Sequence, residues 1–132
     1  MRRKRSIDTK KYEELRSERD RRNKEIGNLA EEFVYKREKN RLISLGLSEL
    51  SNNIDWISKR EDGHGYDIKS FFLDGSVKYI EVKGSSLAQN DFTFYLSKTE
   101  KEVAEEYGDS YFLALVQNVG SDNVYLMKLV IQ

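Results

Sequence analysis

Asp67 and the triplet Glu81-Val82-Lys83, which begins fourteen residues later, are the residues whose types and spacing could do chemistry. Side chains alternate along a β-strand, so Glu81 and Lys83 point to the same face. Asp67 lies just before an apolar run, and a short turn folds it back beside them. Two carboxylates and an ammonium gathered at one end of a hairpin are costly to assemble without a use. Divalent-metal chemistry on phosphodiesters is the use this set suggests.

The elements that must position these groups can be read from the pattern around them. Residues 66–73 and 77–83 read as two strands, joined by a hairpin turn at Asp74-Gly75-Ser76. A three-residue loop at 74–76 sets Asp67 opposite Lys83 and puts Asp67, Glu81 and Lys83 on one face. A one-residue change in loop length would break that register. Upstream, residues 54–58 read as a short strand, followed by a charged loop over 59–65 with glycines at 63 and 65. Further back, Ile26, Ala30, Phe33, Val34 and Leu45 fall within one helical arc that stops at Gly46. Glu31 sits at the border of that arc beside Val34, where it can face inward at the edge of a core.

Residues 8–25 are almost wholly polar, with Tyr12 and Leu15 to bury, and read as a charged, extended helix steadied by i,i+4 pairs. Downstream, residues 92–96 read as a fourth strand. Ser97-Lys98-Thr99-Glu100 matches the S-x-x-E capping box of a helix that runs to Tyr107 and stops at Gly108. Residues 111–116 form a nearly continuous apolar strand of the kind buried on both faces. A turn at Gly120-Ser121-Asp122-Asn123 leads to a last strand over 124–131. This order predicts a mixed α/β domain over 26–132, with helices against a central sheet and a charged arm over 1–25.

Composition removes many alternatives. At 132 residues the chain holds one domain with a real core, and its charged fraction of 35% suits a small soluble protein. The absence of cysteine excludes disulfides, thiolate sites and a cysteine nucleophile, and the single histidine, His64, excludes multi-histidine zinc. Any metal must be held by oxygen, which points to magnesium, manganese or calcium. No apolar run reaches bilayer length and the N-terminus has no signal-peptide core, so a cytoplasmic protein with no membrane partner is expected. The net charge of zero hides an asymmetry: residues 1–26 carry eleven Lys/Arg against six Asp/Glu, and residues 27–132 carry twelve against seventeen. A basic arm led by Arg2, Arg3, Lys4 and Arg5 on an acidic body can seek phosphate. A solvated helix with alternating charges, or a linker from a longer protein, are the competing readings.

Asp67 followed by Glu81-x-Lys83, on a hairpin preceded by a helix bearing Glu31, resembles the PD-(D/E)xK nuclease superfamily. Asp67 and Glu81, with the Val82 carbonyl and waters, can make an octahedral oxygen site for Mg²⁺ or Mn²⁺. Lys83 can then orient water or stabilise phosphate, and Glu31 can ligate through water, hold Lys83 or bind a second ion. A closer resemblance covers residues 26–116. Ile26 to Val34, Gly65-Tyr66-Asp67-Ile68, Tyr79 to Lys83, Phe94-Tyr95-Leu96-Ser97 with Glu100, and Gly108-Asp109-Ser110-Tyr111 look like the DUF3883 family, also called the NO VEIN C-terminal domain. That resemblance implies a restriction-endonuclease-like α/β core. It places Glu31 at the glutamate of a G-x-x-G-E helix pattern, with Ala30 where the second glycine would stand. Members sit at the C-terminal end of longer proteins, including ATPases and restriction or defence systems, so the chain reads as an excised domain or a stand-alone version.

The expected activity is metal-dependent hydrolysis of DNA, with RNA as an open alternative substrate. A homodimer or a larger ATPase-bearing partner would serve a double-strand cut. The competing expectation is a non-catalytic nucleic-acid-binding or docking module that keeps the nuclease fold. Around the site, His64 can contact phosphate or shuttle a proton, Ser85 and Ser86 can bind a phosphate oxygen, and Gln89 and Asn90 can reach a backbone. Each has a plain solvated alternative. Tyr66, Tyr79, Phe94 and Tyr95 can stack on bases, or belong to the core.

Overall fold

With no proline in the chain and good helix formers through its first third, nothing in the sequence breaks a helix before Gly46. The computed structural model of the protein, which describes residues 2–86, 94–121 and 124–130, accordingly opens on one long helix, α1 (Arg2–Ser44). The arm and the amphipathic stretch expected as separate helical segments are continuous across residue 26. Residues 9–25 are exposed throughout, and burial begins only with the second half. There Ala30, Val34, Glu38 and Leu42 recur every four residues with at most 1% exposure, the stripe a helix presents to a core. Leu45 lies past the helix end and is 54% exposed, so Leu42 holds the place expected for it. Gly46 takes φ +78° and turns the chain into α2 (Ser48–Asn52), a short helix with no counterpart in the sequence reading.

The sheet has the strand order β1 (Asp55–Trp56), β2 (Ile68–Phe71), β3 (Val77–Gly84), β4 (Tyr111–Gln117), β5 (Tyr125–Val130). Four longer strands thus carry a two-residue edge. All neighbours are antiparallel except β3 and β4. A parallel pair needs a crossover, and α3 (Lys98–Tyr107) lies within it. Ile80, Val82 and Gly84 of β3 face α1, while Tyr79, Glu81 and Lys83 face α3, so the sheet lies between helices. The core packs Ile68, Ile80, Val82, Ala114 and Val116 against Ala30, Val34 and Leu42. β4, flanked by β3 and β5, is buried at every position except Phe112, as its continuous apolar run requires.

Several expectations are corrected. Strand pairing at 54–58 is confined to Asp55 and Trp56, because Ile57–Lys59 turns into a 3-10 helix; Ile54 and Trp56 pack on the core, and Ile57 is buried too. The second strand begins at Ile68, two residues late. Phe94, Tyr95 and Leu96 are not in a strand, and Phe92 lies outside the described residues, as do Gln89, Asn90, Asp122, Asn123 and Ile131. The β2–β3 register pairs Ile68 with Ile80 and Phe71 with Val77, with Phe72 N–H donating to Ser76 O at 2.9 Å. The three-residue loop is therefore 73–75, with Asp74 Oδ1 accepting from Ser76 N at 2.9 Å. Moving the loop by one residue shifts every partner by two. Extended by one residue, that register would set Asp67 opposite Glu81 instead of Lys83 and on the same face, although the Asp67 N–H bonds Ile80 O.

Candidate active site

Three elements meet at the end of the sheet where β2 begins. Asp67 is one step beyond the Ile68–Ile80 pair, and its N–H donates to Ile80 O at 2.8 Å. Its Oδ2 accepts from Val82 N at 2.8 Å, which turns the carboxylate toward β3. The loop before it is pinned from both sides: Gly65 O accepts from Tyr111 Oη at 2.9 Å, and Ser58 N donates to Asp67 O at 3.2 Å. Gly65 has φ +79°, and a Cβ there would stand 2.6 Å from Val103 Cγ2, so only glycine lets this loop pass over α3.

Glu81 is 5% exposed and is met by Lys83 Nζ at 3.2 Å. Lys83 Nζ also donates to Glu100 Oε1 at 3.0 Å, the oxygen that accepts from Ser97 N at 3.0 Å in the α3 capping box. The box is complete, since Ser97 Oγ accepts from Glu100 N. Glu100 was expected as the partner in the helix cap, with a place near the site left open. Its position, at the third residue of the helix that follows the lysine-bearing strand, was the signal that it also belongs to the site.

Glu31 reaches the same end of the sheet from α1, where its Oε1 accepts from Trp56 Nε1 at 2.9 Å and from Ser58 Oγ. The close approach of α1 to β3 depends on Gly84, where a Cβ would stand 2.7 Å from Ala30 Cβ and 3.3 Å from Ile26 O. Alanine at position 30 is accommodated by the glycine facing it on the strand.

Crowding of like charge marks the electrostatics. Burial, then the Glu31 carboxylate, pushes Asp67 up to about 6, against the lowering by its Val82 hydrogen bond. Burial, then Asp67, pushes Glu81 up to about 9, with Lys83 opposing. Burial works to depress Lys83, but Glu81 and Glu100 outweigh it and hold the ammonium charged. The Tyr111 hydroxyl is pushed well up by burial and by the same carboxylates.

The structure thus brings Glu31, Asp67, Glu81, Val82 and Lys83 to one end of the sheet and adds Glu100. Other residues singled out in the sequence lie apart. His64 borders the site but is exposed, with its Nε2 2.7 Å from Glu61 Oε2. Ser85 continues the pairing beyond β3, its N–H donating to Val116 O at 2.9 Å. Arg2 to Arg5 begin α1, and at 1.5 Å per residue Arg5 stands about 40 Å from Glu31 along the helix. Tyr66 and Tyr79 pack with Tyr107, the Tyr79 and Tyr107 rings stacked at 3.7 Å, whereas Tyr95 is 83% exposed. Two clefts open on Asp67, one of about 860 Å³ on the α1 side and one of about 290 Å³ on the α3 side that includes Glu81. The donors here are hard oxygens from separate elements and suit Mg²⁺ or Mn²⁺. Among the described residues no three acidic or histidine side chains stand in a ready-made ligand cluster. A cation here would be held by Asp67 and Glu81 with backbone, water or substrate oxygens.

A family model described as protein NO VEIN, C-terminal, matches residues 30–129, which include all the acidic and lysine residues of this site. No curated protein and no solved structure matches the chain significantly.

Proposed function

The chain belongs to the family of the protein NO VEIN C-terminal domain, and on that premise we propose that it is a metal-dependent nuclease that hydrolyses DNA phosphodiester bonds. A role in restriction, defence or DNA processing follows from that chemistry. The observation that carries the reading is the convergence of Asp67 and buried Glu81, both with raised pKa values, beside a lysine that stays charged. Such a pair is unfavourable in isolation and is relieved by a divalent cation. The element order supports a restriction-endonuclease-like core: a helix, an antiparallel hairpin, then a crossover helix into a parallel strand.

In this reading Asp67, Glu81 and the Val82 carbonyl hold Mg²⁺ or Mn²⁺. When bound, the metal would lower the pKa of an attacking water and offset charge on the phosphate. Lys83 presents its ammonium to a phosphate oxygen, and Glu100 fixes where that ammonium stands. Glu31, tethered by Trp56 and Ser58, sets the field at Asp67. The arm of α1 lies along the DNA backbone. Its first turn reaches phosphates about 12 base pairs from the site, and binding through it falls steeply with salt. One site per chain cuts a duplex through a dimer, two nicks or a partner protein.

A second reading is favoured by one observation: no cluster of three ligating side chains is preformed among the described residues. The domain would then be a DNA-binding or docking module of nuclease fold. Calorimetric titration with Mn²⁺ and cleavage of plasmid and single-stranded DNA separate the two. The nuclease binds Mn²⁺ through Glu81 and cuts only with metal, and Lys83→Ala keeps the fold but loses cleavage. If Glu81→Ala alters neither metal binding nor cleavage, the catalytic assignment is wrong. DNA binding that survives chelation, with no cutting of any substrate, selects the module.

A further inference from the structure

Gly27 serves no purpose that the fold explains. It lies inside α1 without a positive φ, and a Cβ there would meet nothing within 4 Å. Glycine in a helix interior is less stable than alanine, because the unfolded chain keeps more freedom. The close approaches at Gly65 and Gly84 give those glycines a steric reason, and Gly27 has none. What Gly27 does border is the larger cleft, which also contains Glu31 and Asp67.

We propose that this cleft is the track along which one DNA strand reaches Asp67, and that Gly27 is bare so that the sugar–phosphate backbone can lie against α1. This rests on the nuclease reading and adds where the substrate strand runs. Lys24, Lys36 and Lys59 line the cleft and supply positive charge along it. Glu32 and Asp62 line it too. Glu32 is held by Lys36 at 2.7 Å, in a pair exposed enough to exchange for phosphate. Lys59 Nζ stands 4.9 Å from the centre of the Trp56 ring, and Trp56 packs on Tyr35 with ring centres 5.3 Å apart. These rings, tilted 32° to one another, give the track an aromatic wall for a nucleotide to pack against. The smaller cleft shares Ser58, Asp62 and Asp67 with the larger one, so a strand entering along α1 continues past Asp67 toward Glu81.

The test is Gly27→Ala and Gly27→Leu in the full chain, read by thermal midpoint, by cleavage with Mn²⁺, and by anisotropy of a fluorescein-labelled 20-nucleotide strand in EDTA. Both substitutions restore helix propensity and raise the midpoint by about 3–5 °C. Strand binding weakens roughly threefold for Gly27→Ala and tenfold or more for Gly27→Leu, and cleavage falls in step. Lys59→Glu lowers the salt slope of binding by about one. A Gly27→Leu protein that binds and cuts like the wild type overturns the track, as does a Gly27→Ala midpoint below wild type, which would make Gly27 a folding residue. If cleavage depends on Lys83 but ignores Gly27→Leu, the track fails and the nuclease survives. Gly27-dependent binding without cutting sinks the nuclease and keeps the track. No binding of strand or duplex by the wild type overturns the track outright.

Discussion

Glu81→Gln should make the metal-free protein more stable at neutral and alkaline pH, although it removes a residue proposed as essential. Glu81 is 5% exposed, and burial with Asp67 raises its pKa from 4.5 to about 9. A carboxyl whose folded pKa exceeds its unfolded value binds its proton more tightly in the folded state. Its contribution is therefore fully present below about 4.5 and is lost as pH rises toward about 9. Each unit is worth about 1.36 kcal/mol, so the loss by pH 7 is roughly 3 kcal/mol. That is a large part of the 5–15 kcal/mol typical of a domain. Asp67 adds a loss confined to the window between its ordinary value of 3.8 and about 6. In EDTA, thermal melts at pH 5 should nearly coincide for the two proteins. At pH 8 the Glu81→Gln midpoint should lie higher by on the order of 10 °C. Mn²⁺ should raise the wild-type midpoint at pH 8 and leave the variant unmoved. Parallel pH profiles for the two proteins would refute the claim that Glu81 sits desolvated beside Asp67.

The close contact of Gly84 with Ala30 gives a second expectation. Gly84→Ala should cost about 1–3 kcal/mol by overpacking, and Ala30→Gly in the same chain should recover much of it, as urea denaturation of the four proteins of the cycle would show. Independent effects that simply add would place the strain elsewhere. Glu100→Gln keeps an acceptor for Ser97 N, so stability should change by less than about 1 kcal/mol. It removes the charge facing Lys83 Nζ, so cleavage should fall about tenfold with Mn²⁺ affinity intact; an equal fall in Mn²⁺ affinity would make Glu100 a ligand. Glu38→Ala should cost roughly 3 kcal/mol, read by denaturant midpoint, because it strips the buried carboxylate from Lys78 and Arg41. A change within about 0.5 kcal/mol, the range of an ordinary surface substitution, would mean the cluster is not desolvated.

How far the site could be read from the sequence depended on which features are local. The α3 cap was legible in full, since Ser97 and Glu100 meet within one turn. The shared face of Asp67, Glu81 and Lys83 was legible because strand period is two, even though the loop lies at 73–75 and not 74–76. Parity survives a register error of two and would not survive an error of one. What could not be read were contacts between distant segments. The capping box alone does not say that the Glu100 oxygen bonded to Ser97 N also meets Lys83, and nothing near Glu38 says that Lys78 is its partner forty residues on. The short strand at 55–56 was overextended because Ile54 and Trp56 keep strand spacing toward the core, whereas Ile57 already opens a 3-10 turn.

The protein holds two buried charge clusters, and their difference separates structure from chemistry. At the far end of α1, the Glu38 carboxylate accepts from Arg41 at 3.1 and 3.2 Å and from Lys78 at 3.2 Å, and Arg41 is tied to Phe71 O at 2.8 Å. One carboxylate faces two cations, and Lys78 Nζ also sits 5.0 Å from the Phe112 ring centre. The carboxylate there is fully compensated, Arg41 keeps part of its side chain in water, and the set fixes how α1 lies on the sheet. At the sheet end, Asp67 and Glu81, with Glu31 and Glu100 nearby, meet Lys83. The excess there is negative, and burial together with that excess raises two carboxyl pKa values. A buried charge set that the fold balances needs nothing further. One that the fold leaves unbalanced, at the mouth of two clefts, is the ground on which the proposed cation site rests.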